Sequence, residues 1–315
     1  MTARLLRKWC DPEVILIVTN LFTEQSLLFH ALRQARKSRA KVLLAYALRM
    51  DDAAFHPGRK LPPHNALPDV SESLERIAGE LRWEGLLCDT FILHGPPAEE
   101  ITSLVNDHFV DRVIVAARNL KRTSHSSKAS LLEHLLPVLD VPLCAIGENV
   151  PVGSYGEPPV GRISLALSLS SQQCTDCLSF ASRLAQENRA HLIVLHVADG
   201  AQQTLQPEIS SPMALAARIP SPVLREAGLL CPLEIAVRHG DPVQEILRYD
   251  ATIPQDFIVL GSPSKLRNGR LSSTSILRNV IAEARCPVLI FKTGTGVANN
   301  FTVARHQANS ASYGW

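Results

Sequence analysis

The chain contains 315 residues, of which 46% are hydrophobic and 20% are charged, a composition typical of globular proteins and a length that fits two domains. A formal net charge of +2 gives no strong field that would favour nucleic acid as a partner. The basic N-terminus has no apolar run long enough for a signal peptide or a membrane span, and seven scattered cysteines do not suggest a disulfide framework. We therefore expect a cytoplasmic protein that contacts neither nucleic acid nor a membrane.

Apolar runs alternate with helical patterns along the first half of the chain. Apolar residues between positions 27 and 35 fall at helical spacing, and a second helix is predicted at about residues 71–84. Residues 51–70 contain four prolines, which predicts an irregular excursion. With a basic loop and two further helices, the order is β-α-β-α-β-α-β-α-β. Strands are predicted at residues 14–18, 42–46, 90–93, 112–115 and 142–146.

The same order recurs in the second half of the chain, and three segments align at one offset. His94–Ile101 aligns with His239–Ile246, which sets the offset at 239 − 94 = 145. At this offset Asp111 aligns with Asp256, and Pro142 aligns with Pro287. We infer two copies of one unit of about 145 residues. Each copy is predicted to be a doubly wound α/β domain, with a five-stranded parallel sheet and helices on both faces.

The composition places the boundaries of the two units. Residues 12–147 form the first predicted domain, and residues 148–161, rich in proline and glycine, form a linker. Residues 162–292 form the second domain, in which residues 200–222 are expected to be irregular, and residues 293–315 form a flexible tail. The fifth strand of each half is short and apolar, and such an edge must be covered. We therefore expect the fifth strands to lie at the contact of an intramolecular pseudo-dimer.

The repeated motifs resemble those of the universal stress protein family, and the whole chain resembles its tandem form. The resemblance rests on His-Gly-x-Pro at His94 and His239, on the Asp before each fourth strand, and on Cys-Pro-Val-Leu-Ile from Cys286. It implies a domain that can hold ATP or another adenine nucleotide at the carboxyl ends of the strands, where doubly wound folds bind ligands. No metal and no other cofactor are expected.

The phosphate motif of that family, Gly-x2-Gly-x9-Gly-Ser/Thr, is incomplete in both halves. Glycines there let backbone N–H groups approach phosphate beside a helix N-terminus. In the second half the motif falls on Gly261, Ser264 and Thr274–Ser275, so one glycine of three survives. In the first half it falls on Ala116, Asn119 and Ala129–Ser130, and no glycine survives. Any ATP is therefore expected in the second half.

An acidic residue follows the first strand in the family's nucleotide-binding members, and this chain has none there. Asn20 and Ser168 stand in its place, and neither carries a charge. The resemblance thus implies a degenerate second-half site comprising Ser168, Val197, Gly240, Gly261, Ser264, Lys265, Thr274 and Ser275. The first-half equivalents, expected not to bind, are Asn20, Gly95, Ala116, Asn119 and Ser130.

Two interpretations of the loops after the fourth strands remain open. Cations such as Lys265, together with hydroxyls at a helix N-terminus, can hold an anion. Alternatively, Ser130 and Ser275 only cap helices, and the basic residues are solvated. The cations in question are Arg118, Lys121, Arg122, Lys128, Lys265, Arg267 and Arg270.

Cysteine and histidine positions also have two interpretations. Cys174 and Cys177 have thiol-redox spacing, and a helix N-terminus can lower the pKa of the first, but the pattern favours two ordinary helix cysteines. His94 and His239 are either acid–base groups or structural residues of the turns that contain them. His196 is expected in a pocket wall.

Three functions are compatible with these patterns. The first is a non-catalytic stress-response regulator or binding module, with a nucleotide site kept in the second half. The second is an enzyme, either a slow ATPase or a nucleotide-dependent transferase. The third is a structural adaptor that acts only through an unknown protein partner. The sequence contains no recognisable set of base, nucleophile and metal ligand, so we predict no catalytic residues.

Overall fold

The computed structural model describes eight segments of the chain. They are residues 13–19, 25–47, 66–117, 130–153, 161–167, 171–198, 211–263 and 276–293.

Ten strands and nine helices occur in these segments. The strands are β1 (Val14–Thr19), β2 (Lys41–Ala47), β3 (Cys88–Leu93), β4 (Arg112–Ala117), β5 (Leu143–Gly147), β6 (Arg162–Ala166), β7 (His191–Ala198), β8 (Leu233–His239), β9 (Phe257–Pro263) and β10 (Val288–Thr293). The helices are α1 (Gln25–Ser38), α2 (Ala66–Trp83), α3 (Pro97–Asp107), α4 (Leu131–Val138), α5 (Ser171–Asn188), α6 (Pro212–Ala216), α7 (Ser221–Leu230), α8 (Pro242–Thr252) and α9 (Ile276–Glu283).

All ten strands belong to one sheet. Its order is β3-β2-β1-β4-β5-β10-β9-β6-β7-β8, so each half has the same internal order, counted outward from the centre. The five strands within each half are parallel, which confirms the predicted α/β class. The two predicted sheets are not separate, however, because β5 and β10 pair antiparallel and join them.

The pairing of β5 with β10 has two-fold symmetry at the level of the repeat. Cys144 faces Leu289, and these residues are related by the offset of 145. Leu143 faces Ile290 and Ala145 faces Val288. Each of these two pairs consists of the residues equivalent to those of the other pair. Every residue of both strands is buried. The apolar edges predicted at these strands are therefore covered by each other, which also satisfies their backbone groups.

Helices cover both faces of the sheet because alternate strand residues point to opposite sides. Ile15 and Ile17 belong to a core that includes residues of α1, α2, α5 and α7. Leu16 and Val18 belong to a second core that includes residues of α3, α4, α8 and α9. Strands buried on both faces read as continuous apolar runs, which is why the strand predictions were close to the observed bounds.

The predicted irregular segments differ in detail from the observed structure. Helix α2 begins at Ala66, five residues before the predicted start. Within the predicted excursion at 200–222, Ser211 caps the short helix α6 and Pro212 is its first residue, while α7 begins at Ser221. A polar N-cap residue followed by proline favours the start of a helix. The prediction of irregular structure rested on composition and did not consider this motif. The predicted domain boundaries stay predictions.

Contacts between the halves extend beyond the central strands. On the α1 face, Arg33 forms an ion pair of 2.7 Å with Asp256. On the other face, Arg278 pairs with Glu133 at 3.4 Å, and the ammonium group of Lys292 donates to the carbonyl of Pro137. The start of the predicted linker is also packed, since Val150 is buried and its carbonyl accepts from Ser26.

Candidate nucleotide site at the carboxyl rim

Three of the predicted second-half residues reach the same edge of the sheet. Val197 is the next-to-last residue of β7, Gly261 lies near the end of β9, and Gly240 directly follows β8. The backbone N–H of Gly240 donates to the carbonyl of Ala198 at 3.2 Å, which ties the ends of β7 and β8 together. Because the strands of each half are parallel, all their carboxyl ends meet at this rim.

His196 fixes the point at which β6 ends. Its Nδ1 lies 3.1 Å from the carbonyl oxygen of Leu167, and we assign Nδ1 as the protonated nitrogen since a carbonyl can only accept. Leu167 also donates its N–H to Leu195. His196 is half-buried. His196 thus lies at the rim and holds the residue that immediately precedes Ser168, while its role in a pocket wall stays a prediction.

The predicted phosphate loop lies outside the described residues. The same holds for the positions after the first strands and for the basic residues of both loops. These predictions concern Asn20, Asn119, Ser168, Ser264, Lys265, Thr274 and Ser275, and they remain predictions.

The surviving glycine of the motif has a packing role. A Cβ atom added to Gly261 would lie 2.5 Å from the sulfur of Cys177, which is too close for any relaxed contact. Cys177 belongs to α5 and is buried. One turn further along α5, Phe180 stacks on Phe291 with ring centroids 4.5 Å apart. Gly261 therefore lets α5 pack against β9, whether or not phosphate ever approaches it.

The two cysteines of α5 are not activated thiols. Burial raises the pKa of Cys174, so the lowered pKa considered from its helix position is wrong. Burial, with the neighbouring charge of Asp176, raises the pKa of Cys177 to about 12. A thiolate is the reactive form, and a raised pKa keeps the thiol protonated at neutral pH. The structure supports the alternative of ordinary buried helix cysteines.

We expect the described cysteines of the folded protein to resist alkylation. All six described cysteines are buried, and each has a raised pKa; they are Cys88, Cys144, Cys174, Cys177, Cys231 and Cys286. At pH 8 iodoacetamide should therefore label them only after urea is added, as peptide mass spectrometry can measure. Labelling of Cys177 in the native protein would contradict the burial described here.

The two His-Gly turns have a structural explanation. Gly240 has a φ of +135°, a conformation that favours glycine. In the first half, a Cβ on Gly95 would lie 2.7 Å from the carboxylate of Glu100, which folds back over the turn. His94 and His239 are exposed beside these glycines. The repeated spacing from Gly to Glu thus reflects the packing of a turn.

In the first half, the helix at the corresponding rim is capped by its own residues. The hydroxyl of Ser130 accepts from the N–H of Glu133 at 3.3 Å, and Glu133 accepts from the N–H of Ser130 at 2.8 Å. This capping box occupies N-terminal N–H groups and places a carboxylate where a phosphate would otherwise meet α4. Ser130 is thus a helix cap, and Ala116 adds a side chain at the missing glycine.

The two repeated aspartates, identified in the sequence only as motif residues, each anchor the start of the first strand of their half. Asp111 accepts from the N–H of Val14 at 2.8 Å, and Asp256 accepts from the N–H of Gly161 at 2.6 Å. Their recurrence at one offset was the only signal in the sequence, and it did not distinguish an anchor from a ligand-binding group. Among the described segments, no cluster of His, Cys, Asp and Glu can hold a metal ion. No helix there is long and apolar enough to cross a membrane.

Residues 160–292 match the model of the universal stress protein family. No curated protein matches the chain in sequence.

Solved structures extend the similarity of fold to most of the chain. A universal stress protein from Archaeoglobus fulgidus DSM 4304 covers 91% of this chain and 98% of its own, with a TM-score of 0.63 at 16% identity. A functionally unknown protein from Pseudomonas aeruginosa PAO1 covers 96% of this chain and 99% of its own, with a TM-score of 0.55 at 16% identity. A putative universal stress protein from Pseudomonas aeruginosa UCBPP-PA14 covers 94% and 98%, with the same TM-score and identity.

Proposed function

We propose that the whole chain is a tandem universal stress protein and acts as a non-catalytic stress-response regulator or binding module. The family match of residues 160–292 supports this for the second half. For the first half, the identical strand order around β5 and β10 supports a second copy of the same domain. The paired fifth strands make the two copies an intramolecular pseudo-dimer.

Nucleotide binding, in this proposal, is confined to the second half, at a degenerate site for ATP or another adenine nucleotide. The observation that carries the asymmetry is the capping box of α4. There Glu133 presents a carboxylate to the helix N-terminus, and the equivalent residue of α9 is Arg278. A carboxylate at this position competes with a phosphate for the N-terminal N–H groups, and α9 has no carboxylate there.

A structural adaptor without nucleotide is the alternative with specific support. Gly261 is the only motif glycine left, and Cys177 already fills the space that its missing side chain leaves. A glycine retained for packing alone would need no ligand. A slow ATPase is a further alternative, but no described feature favours it.

Calorimetric titration with ATP, ADP and AMP tests the proposal. We expect measurable binding at one site per chain, weaker than in family members with the full motif because Ser168 supplies no carboxylate. The double change Ser275→Ala and Lys265→Ala should abolish this binding, because it removes a hydroxyl and a cation from the predicted phosphate loop.

Ser130→Ala is the matched control, since it removes the equivalent hydroxyl from the first half. It should cost about 1 kcal/mol of stability through the lost cap and leave nucleotide binding unchanged. Binding that survives in the double variant would show that the site lies elsewhere. A wild-type protein that binds no nucleotide at all would favour the adaptor.

A further inference from the structure

The contact between the halves contains ion pairs whose two partners can be compared with their equivalents in the repeat. Residues of the last helix and strand of one half have equivalents in the other at the offset of 145, and β5 and β10 pair about a two-fold relation. In such a symmetric contact, the surface of a domain meets its own equivalent surface. The observed contacts therefore predict which residues would meet in a pair of two first halves or of two second halves.

Glu133 and Arg278 are equivalent residues that contact each other. They differ by 278 − 133 = 145, and they form a largely buried ion pair of 3.4 Å. A pair of two first halves would place Glu133 against Glu133. A pair of two second halves would place Arg278 against Arg278. Either like-charge contact is destabilising in a site with little solvent.

A second contact on the same face follows the same logic. The ammonium group of Lys292 is buried, donates to Pro137 at 2.9 Å at the C-terminal end of α4, and lies 3.4 Å from the carboxylate of Asp140. The equivalent of Asp140 in the second half is Arg285. In a pair of second halves, Lys292 would meet Arg285 and lose its attractive partner.

The ion pair on the α1 face behaves differently, and the contrast is informative. Helices α1 and α5 align at an offset of 150, since Arg39 and Arg189 each directly follow their helix with a φ of 50°. The equivalent of Arg33 is then Arg183, and that of Asp256 is Asp111. Every pairing of halves would keep an arginine against an aspartate there. This contact therefore adds affinity without selecting a partner.

We propose that Glu133, Arg278, Asp140 and Lys292 are specificity residues that select a first half as the partner of a second half and reject pairs of identical halves. The occupant of the β10 surface is thus a domain with an acidic residue at the third position of its last helix. Opposite charges attract this partner, and like charges exclude a second copy of the same half. The selection acts through the protein contact and does not depend on nucleotide.

The experiment uses the full chain with a protease site introduced in segment 154–160. After cleavage of the folded protein, native mass spectrometry should find only complexes of one first-half and one second-half fragment, also after prolonged incubation at low concentration. Complexes of two identical fragments would overturn the proposal.

Charge reversal supplies the second arm, read as the midpoint of thermal unfolding of the uncut chain. Glu133→Arg and Arg278→Glu should each lower the midpoint, because each creates a like-charge contact. The swap E133R/R278E should recover most of that loss, although it also lacks the capping box of α4. Glu133→Gln keeps a capping box and loses only the charge, so it should fall between wild type and E133R. Single reversals no less stable than the swap would overturn the proposal.

Discussion

Gly147→Ala should destabilise the protein by about 3 kcal/mol, the upper end of the cost of overpacking a well-filled core. Gly147 ends β5, and a Cβ there would lie 2.4 Å from the backbone carbonyl oxygen of Ile281 in α9 of the other half. The obstacle is backbone, so no side chain can rotate away. The clash can only be relieved by moving α9 or separating the β5–β10 pair. Urea denaturation of the full chain measures the loss.

Gly79→Ala is the matched control for that change. Gly79 lies inside α2, and a Cβ there would meet no atom within 4 Å. Alanine in a helix interior is favoured over glycine, so this variant should gain about 0.5–1 kcal/mol. Opposite signs for the two substitutions would establish that close approach, and not glycine flexibility, explains Gly147. Equal stability of Gly147→Ala and wild type would contradict the close contact between the halves.

The strands and their order along the chain could be predicted, because each strand is a local apolar run and the pattern occurs twice. Residues 14–18 form a continuous apolar run, as expected of a strand buried on both faces, and they agree closely with β1. The repeat then carried the same assignment to the second half. The single sheet could not be predicted, because apolar fifth strands indicate where the halves meet but do not distinguish edge-to-edge pairing from the packing of two separate sheets.

The site was harder to predict, because the residue types at the rim serve packing and ligand binding equally well. Gly261 matches a phosphate motif, yet its neighbour is the sulfur of Cys177 from a helix more than 80 positions earlier in the chain. Likewise Ser130 matches a motif hydroxyl but completes a capping box with Glu133. The signal for that box, Ser-x-x-Glu, was present in the sequence.

Asp256→Ala should be as damaging as Gly147→Ala, for an electrostatic reason. The carboxylate is almost fully buried, with 7% of the side chain exposed, and it serves three donors. One oxygen accepts from Arg33 of the first half at 2.7 Å; the other accepts from the N–H groups of Gly161 at 2.6 Å and Arg162 at 3.3 Å. The substitution leaves an arginine and two backbone donors without this acceptor. Removing one partner of a buried pair typically costs about 3–5 kcal/mol.

Two further variants separate the contributions of Asp256. Arg33→Met removes the ion pair that Asp256 makes with the first half but keeps both hydrogen bonds from backbone N–H groups to Asp256. It should therefore cost less than Asp256→Ala. Arg76→Met breaks an exposed pair within α2, with Glu80, and should change the free energy of unfolding by no more than about 0.5 kcal/mol. The expected order of loss is therefore Asp256→Ala, then Arg33→Met, then Arg76→Met. If Arg33→Met were as damaging as Asp256→Ala, the carboxylate would act only as a link between the halves, and anchoring β6 would contribute little.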